Sequence, residues 1–209
     1  MNKRLTKEGI LFVISGPSGS GKDTVIDSIR ALDDSIGTSI SATTRPMRKG
    51  EAEGVNYYYK TYEEFDALIE AGDVLEWDTF QGNKYGTLKS ELDNQLKQGK
   101  CIMLAITVPG ALKIKELFPK ESVLIFNLPP SLDTLKYRII NRGRESEAEA
   151  ESRFRAAIDN EIPKAVLFDY ILVNDDLSET VDSLMAIIKA ESSKFSRNKT
   201  ILNDLHLID

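Results

Sequence analysis

Four short apolar runs, GILFVIS (9–15), CIMLAI (101–106), SVLIFNL (122–128) and YILV (170–173), punctuate a largely polar chain. Each is rich in branched aliphatic residues and too short for a buried helix, so each predicts a buried strand. Between them the apolar positions recur at helical spacing in DTVIDSIRAL, KSELDNQLKQG, PGALKIKELF, SLDTLKYRIINRG and a long stretch from Ser146 to about Phe168. Strands alternating with helices predict a parallel sheet with helices on both faces, an α/β fold. The segment from Thr43 to about Tyr85 breaks this rhythm. Alternating, aromatic stretches (NYYYKTY, VLEWDTF) flank one helical pattern, EEFDALIEAG, which predicts a small mixed insertion beside the main sheet. The closing stretch SSKFSRNKTILNDLHLID predicts a peripheral helical tail, and His206 within it carries no functional signal.

Composition narrows the class. A chain of 209 residues fits one large domain, or a core domain with an inserted subdomain. The single cysteine, Cys101, lies in an apolar run and reads as a reduced core residue of a cytosolic protein. No secretory signal pattern and no run of about 20 apolar residues is present, so the expectation is a soluble, cytoplasmic protein without a membrane role. A net charge of −6 argues against a protein that coats nucleic acid. Arginines nevertheless concentrate in TTRPMRK (43–49) and YRIINRGR (137–144), which suits a small, highly anionic ligand. A pair of arginines in a polar loop can also be a solvated surface.

The stretch SGPSGSGKDT (15–24) supplies a site for such a ligand. Gly16, Gly19 and Gly21 allow backbone N–H groups to turn inward around phosphate oxygens, with Pro17, Ser18 and Ser20 completing the loop. Lys22 adds a charge that can reach a transferred phosphoryl group, and the helix opening behind it directs its positive end at the same place. The loop follows a predicted strand and opens a predicted helix, as the G-x-x-x-x-G-K motif requires. That motif ordinarily continues with Ser or Thr. Here Asp23 takes the place and Thr24 comes one step late. Asp23 has two readings, a first-turn carboxylate favoured by the helix dipole or an oxygen ligand of Mg²⁺.

Together GPSGSGK (16–22), SISATTRPMRKGE (39–51), GVNYYY (54–59), LEWDTFQGNKYGT (75–87), LIFNLPPS (124–131), LKYRIINRG (135–143) and DYILVND (169–175) resemble the guanylate kinase family in order and over nearly the whole chain. The resemblance implies a P-loop kinase fold in three parts: a core (about 1–40, 88–136 and 169–209), a GMP-binding insertion (about 41–87) and a lid (about 137–168). It implies transfer of the γ-phosphoryl group of ATP to GMP with Mg²⁺. Arg45 and Arg48 offer two planar forks suited to a phosphate monoester, and by resemblance the Tyr57 and Tyr85 hydroxyls join them. Glu76 is the specificity residue by resemblance. A carboxylate can accept from guanine N1–H and its amino group together, whereas adenine presents an acceptor at N1. Ser41, Gly86 and Thr87 fall at base-contacting positions of the family. Arg138, Arg142 and Arg153 match its lid arginines, and the first two, at i and i+4, can share a helical face. Arg144 balances the glutamates that follow it. Asn174 would lie near the adenine of ATP by resemblance, a helix cap being its other reading. Tyr58, Tyr59 and Trp77 read as packing residues.

One stretch departs from the family. It usually carries Leu-Asp-Ile-Asp, one variable residue, then Gln-Gly where this chain has Leu104-Ala105-Ile106-Thr107-Val108-Pro109-Gly110. Two acids are missing at 105 and 107, and one is gained at Asp23. The resulting expectation is that Asp23 supplies part of the metal-binding charge. Two rival readings stand beside GMP phosphorylation: a kinase for another phosphorylated acceptor such as ribose 1,5-bisphosphate, suggested by GPSGSGKD with NRGRE, and a weakly active or inactive binding module. The sequence leaves monomer and homodimer open.

Overall fold

The structure, a computed structural model, describes residues 9–80, 82–141 and 147–198. Arg142, Arg144 and His206 therefore lie outside the described residues, as does most of the expected helical tail, of which Phe195–Arg197 form a single 3₁₀ turn. In chain order the elements are β1 (Ile10–Ser15), α1 (Lys22–Leu32), β2 (Ile36–Thr38), β3 (Ala42–Thr43), β4 (Tyr58–Tyr59), α2 (Tyr62–Glu70), β5 (Val74–Phe80) and β6 (Asn83–Leu88). There follow α3 (Lys89–Lys97), β7 (Cys101–Ala105), α4 (Val108–Leu117), β8 (Ser122–Leu128), α5 (Leu132–Ile140), α6 (Glu147–Ala156), β9 (Tyr170–Val173) and α7 (Leu177–Ser192).

The four apolar runs, joined by β2, form one parallel sheet of order β2-β7-β1-β8-β9. All six residues of β1 are buried, because it is the central strand and both of its faces are covered. Ile10, Phe12 and Ile14 pack towards α1 and α7, Leu11 and Val13 towards α3 and α4. Cys101 is fully buried in the first of these layers. From β1 the chain passes to the edge strand β2, returns to β7 beside β1, and then crosses to β8 and β9 on the other side. The loop after β1 consequently opens into the crevice where strand order reverses, the place such sheets bind ligands.

The unusual segment forms a second, mixed sheet of order β4-β3-β6-β5, covered on one side by α2. A capping box fixes the start of α2: Thr61 accepts from the Glu64 N–H while the Glu64 side chain accepts from the Thr61 N–H. The two sheets meet where Leu75 of β5 packs on the layer containing α4. The helix expected from Ser146 to Phe168 is shorter than its pattern suggested. The α-helix ends at Ala156, a π turn occupies Ala157–Glu161, and a 3₁₀ segment follows at Ile162–Leu167. Pro163, near the start of the 3₁₀ segment, has no N–H to continue an α ladder, so the helix could not have run on to Phe168.

Candidate functional site

The loop after β1 is held by its neighbours as well as by its glycines. Gly16 has φ 149°, and a Cβ there would collide with the carbonyl oxygen of Asn127 at the end of β8. Gly21, at φ 88°, forms the left-handed N-cap of α1 and lies against the Asn174 side chain. The side-chain amides of Asn127 and Asn174 both donate to the Ser20 carbonyl at 2.9 Å. Ser20 N–H donates to the Pro17 carbonyl at 3.0 Å, closing the turn. With that carbonyl clamped from behind, the inner side of the loop is left to N–H donors. The Ser20 hydroxyl is buried without a hydrogen-bond partner among the described residues, as expected of a cradle built for an anion. Asn127 carried no signal as a site residue in the sequence. Asn174 proves to be a buried clamp rather than a cap, because Asp176 caps α7.

Two clefts open from this loop. One, of about 350 Å³, is lined by Gly19, Gly21, Lys22, Asp23, Thr24, Arg138 and Asn174. Arg138 donates to the Asn174 carbonyl at 3.1 Å there. The other, of about 270 Å³, lies between the loop and the second sheet. Gly16, Ser18, Lys22 and Arg153 line its loop side, and Ser41, Tyr57, Glu76, Tyr85 and Gly86 its far wall. Lys22 thus borders both clefts, whereas Arg138 and Arg153 fall into different ones. Arg153 donates to the Ser18 hydroxyl and lies 5.3 Å over the Phe80 ring, bridging loop and second sheet. Asp23 also borders a third cleft, of about 370 Å³, which runs along α1 and shares Ser41, Tyr57 and Ala105 with the 270 Å³ cavity.

Glu76 is buried and lines the 270 Å³ cavity. Its Oε1 accepts from the Thr87 hydroxyl at 2.5 Å, and its other oxygen lies against Gly110 in the first turn of α4. Burial raises its pKa above the usual carboxylate range, the Thr87 hydrogen bonds oppose the shift, and the nearby Asp78 charge adds to it. The missing acids leave a plain surface in this cavity: Ala105 and Thr107 line it, and the Thr107 hydroxyl caps α4. Two carboxylates that sequence reasoning passed over line it as well, Asp78 and Glu161. Glu161 stands at the end of the π turn and lies among the charges of Lys22, Arg153 and Lys164.

Beyond Tyr57 and Tyr85, whose rings meet edge to face at 5.8 Å, stands Arg45. Its guanidinium lies 5.3 Å from the centre of the Tyr57 ring and forms a two-pronged pair with Glu51, at 3.0 and 2.8 Å. Glu51 also accepts from the Arg48 N–H at 2.7 Å and from the Tyr59 hydroxyl at 2.8 Å. These donors pull the Glu51 pKa down to about 2, with the Arg45 hydrogen bonds the largest cause, and the same bonds to the Glu51 carboxylate hold the Arg45 pKa above its usual value. Arg48 contributes its backbone here, while its side chain is exposed and borders none of the three clefts. Tyr58 and Tyr59 do more than pack: Tyr58 donates to Glu91 at 3.0 Å and Tyr59 to Glu51. Trp77 is 45% exposed, not core. A bulge at Leu75 sets Val74 and Glu76 opposite the consecutive residues Leu88 and Thr87, so Glu76 turns inward and Trp77 outward.

A loop shaped for phosphate, a lysine shared by two clefts and a buried carboxylate facing it form the pattern of a nucleotide phosphotransferase. A sequence profile of that class, described as guanylate kinase, matches residues 8–191. The chain belongs to the guanylate kinase family. The guanylate kinase of Halalkalibacterium halodurans is 45% identical over 191 residues, 91% of this chain and 93% of its own. That of Clostridioides difficile is 44% identical over 196 residues, 94% of this chain and 95% of its own. Among solved structures, the guanylate kinase from Anaplasma phagocytophilum superposes with a TM-score of 0.79 at 31% identity, covering 99% of this chain and all of that one. Membership of the guanylate kinase family accords with the P-loop fold, the parallel sheet and the inserted mixed sheet. Among the described residues no helix is long and apolar enough to cross a membrane.

Proposed function

We propose that this enzyme transfers the γ-phosphoryl group of ATP to GMP, giving ADP and GDP in the cytoplasm. The carrying observation is the 270 Å³ cavity, which has the buried Glu76–Thr87 pair at one end and Lys22 with the phosphate loop at the other. In this reading the cleft beside Arg138 and Asn174 takes the donor nucleotide, and the loop amides hold its phosphates. Glu76, with Ser41, Gly86 and Thr87, reads guanine. Arg45, Tyr57 and Tyr85 hold the acceptor phosphate, with Arg48 joining when the loop that carries it closes. The chain then divides as the sequence suggested, into a core, an acceptor-binding insertion (about 41–87) and a lid (about 137–168).

The acceptor phosphate oxygen is already anionic, so its attack on the γ-phosphorus needs no general base. A new P–O bond forms to GMP as the bond to the ADP oxygen breaks. Lys22 borders both clefts and can follow the group across, while Arg153 neutralises charge on its equatorial oxygens. Arg138 steadies the donor side, and Arg142 is proposed as its lid partner. Closure of the lid excludes water and suppresses hydrolysis.

Mg²⁺ fits the residues present. The ion ordinarily takes one or two carboxylates and completes its shell with phosphates and water, and Asp23 and the Thr24 hydroxyl border the donor cleft beside Lys22. When bound the ion would neutralise the donor phosphates. Asp23→Ala is expected to raise the Mg²⁺ concentration for half-maximal rate about tenfold, the worth of one charge-assisted contact. An unchanged Mg²⁺ titration assigns Asp23 to the helix dipole alone.

The test of the function is an ADP-release assay with ATP and Mg²⁺ and a panel of acceptors: GMP, AMP, UMP and ribose 1,5-bisphosphate. Turnover confined to GMP is expected. Turnover of the sugar bisphosphate, or of no acceptor, would overturn the reading.

A further inference from the structure

The inner face of β5 presents Glu76, Asp78 and Phe80 to one cavity, with Trp77 turned out to solvent between the first two. Across the ladder Glu76 stands opposite Thr87 and Asp78 opposite Tyr85. Two residues along a strand advance about 6.6 Å. A nucleoside monophosphate laid along this wall with its base at Glu76 and its phosphate towards Tyr85, Tyr57 and Arg45 would bring its sugar to Asp78. Tyrosine is long and reaches onward to Tyr57, whereas the short Asp78 carboxylate stays at the middle of the wall.

The chemistry at that midpoint is selective. A carboxylate is an acceptor only and repels phosphate, so the ligand group that suits it is a hydroxyl. Asp78 is oriented by the Thr79 N–H, which donates to its Oδ1 at 2.7 Å, and its charge reaches both Glu76 and Glu161. Glu161 is engaged among Lys22, Arg153 and Lys164, and the end of β7 contributes only the uncharged Ala105 and Thr107. Asp78 is therefore the carboxylate available to the sugar.

We propose that Asp78 accepts a hydrogen bond from the 2′-hydroxyl of the acceptor nucleotide and makes the enzyme prefer a ribonucleotide to its 2′-deoxy counterpart. This rests on the reading of the cavity as the GMP site. The test compares kcat/KM for GMP and dGMP in the wild type, Asp78→Ala and Asp78→Asn. The wild type should favour GMP by about tenfold or more, as expected for one hydrogen bond to a charged acceptor. Asp78→Ala should remove that preference by lowering GMP turnover while leaving dGMP within about twofold. Asp78→Asn, which keeps a neutral acceptor and the size of the side chain, should retain part of it and carries the test if the alanine variant does not fold. Equal use of GMP and dGMP by the wild type, or an equal loss of both in the variants, would overturn the inference while leaving GMP phosphorylation intact. Absence of GMP turnover in the wild type would overturn the function and the inference together.

Discussion

The phosphate loop and the β5 wall face each other across one cavity, but they are made of different material. The loop is built from backbone. Gly16 and Gly21 take conformations that side chains avoid, and Asn127 and Asn174 grip one carbonyl from behind. The wall is built from side chains. Glu76, Asp78, Tyr57, Tyr85 and the Arg45–Glu51 pair stand on short strands and turns, the charged groups oriented by hydrogen bonds and the two tyrosines by their edge-to-face contact. A backbone site tolerates little change because every atom of it is shared with the fold. A side-chain site can lose or exchange one group at a time, so specificity can drift there while phosphoryl transfer is kept.

The largest effect should come from the loop. Gly16→Ala forces a Cβ into the Asn127 carbonyl in a backbone region few L-residues enter. The strain alone costs about 1–3 kcal/mol, and relief by moving the loop would misplace its N–H donors. Turnover with GMP is expected to fall about 10²–10³-fold, in the range seen when a preorganised donor is lost. Near wild-type turnover with an unchanged melting temperature would show that the loop is not backbone-limited. On the wall, Glu76→Gln replaces one acceptor by a donor at the place where the proposed site would present the base. GMP kcat/KM should drop about 100-fold, equivalent to 2–3 kcal/mol for a buried mismatched hydrogen bond. The fold should survive this change, because Thr87 can still donate to the remaining oxygen. The pH profile gives the same residue a second test. Burial raises the Glu76 pKa, so the carboxylate protonates, and kcat/KM falls, at a higher pH than an ordinary glutamate near 4.5 would dictate. That acid limb should be absent in the glutamine variant.

This difference in material also decides what could be read in advance. The loop announced itself because only glycine meets its backbone demands and only lysine supplies its charge, and those identities survive in any sequence listing. Four of the five strands of the main sheet and most of its helices follow from apolar runs and helical spacing in the same direct way; the three-residue edge strand β2 and the helix α7 were not read in advance. The wall was legible only through whole-chain resemblance, and then incompletely. Glu51 was one acid among many until folding brought it to Arg45, six positions earlier. Trp77 was misread because the alternation in VLEWDTF carries no sign of the bulge at Leu75 that shifts its phase. Glu161 was hidden in a helical pattern, although Pro163 two residues on was an available sign that the helix could not continue. Asp23, the odd letter of the loop motif, was visible at once, but its position on the rim of two clefts was not.

Smaller changes to the wall separate positioning from packing. Glu51 holds Arg45 with two hydrogen bonds and is itself held by Tyr59 and the Arg48 N–H. Glu51→Gln keeps the shape but removes the charge, freeing Arg45 to leave the place where the acceptor phosphate would meet it. The KM for GMP should rise about threefold to tenfold with kcat little changed, the signature of lost binding shared by ground and transition states. A lower KM would instead mean that Glu51 competes with the phosphate for Arg45. The smallest effect should be at Trp77. Its ring is 45% exposed and meets Lys84, whose Nζ lies 5.5 Å from the ring centre, on the face away from the cavity. Trp77→Ala should alter stability by no more than about 1 kcal/mol, the usual limit for an exposed cation–π contact. GMP kinetics should stay within about twofold. A loss of GMP binding as large as that of Glu76→Gln would mean that residue 77, not residue 76, faces the base, and the bulge that phases the whole wall would have to lie elsewhere.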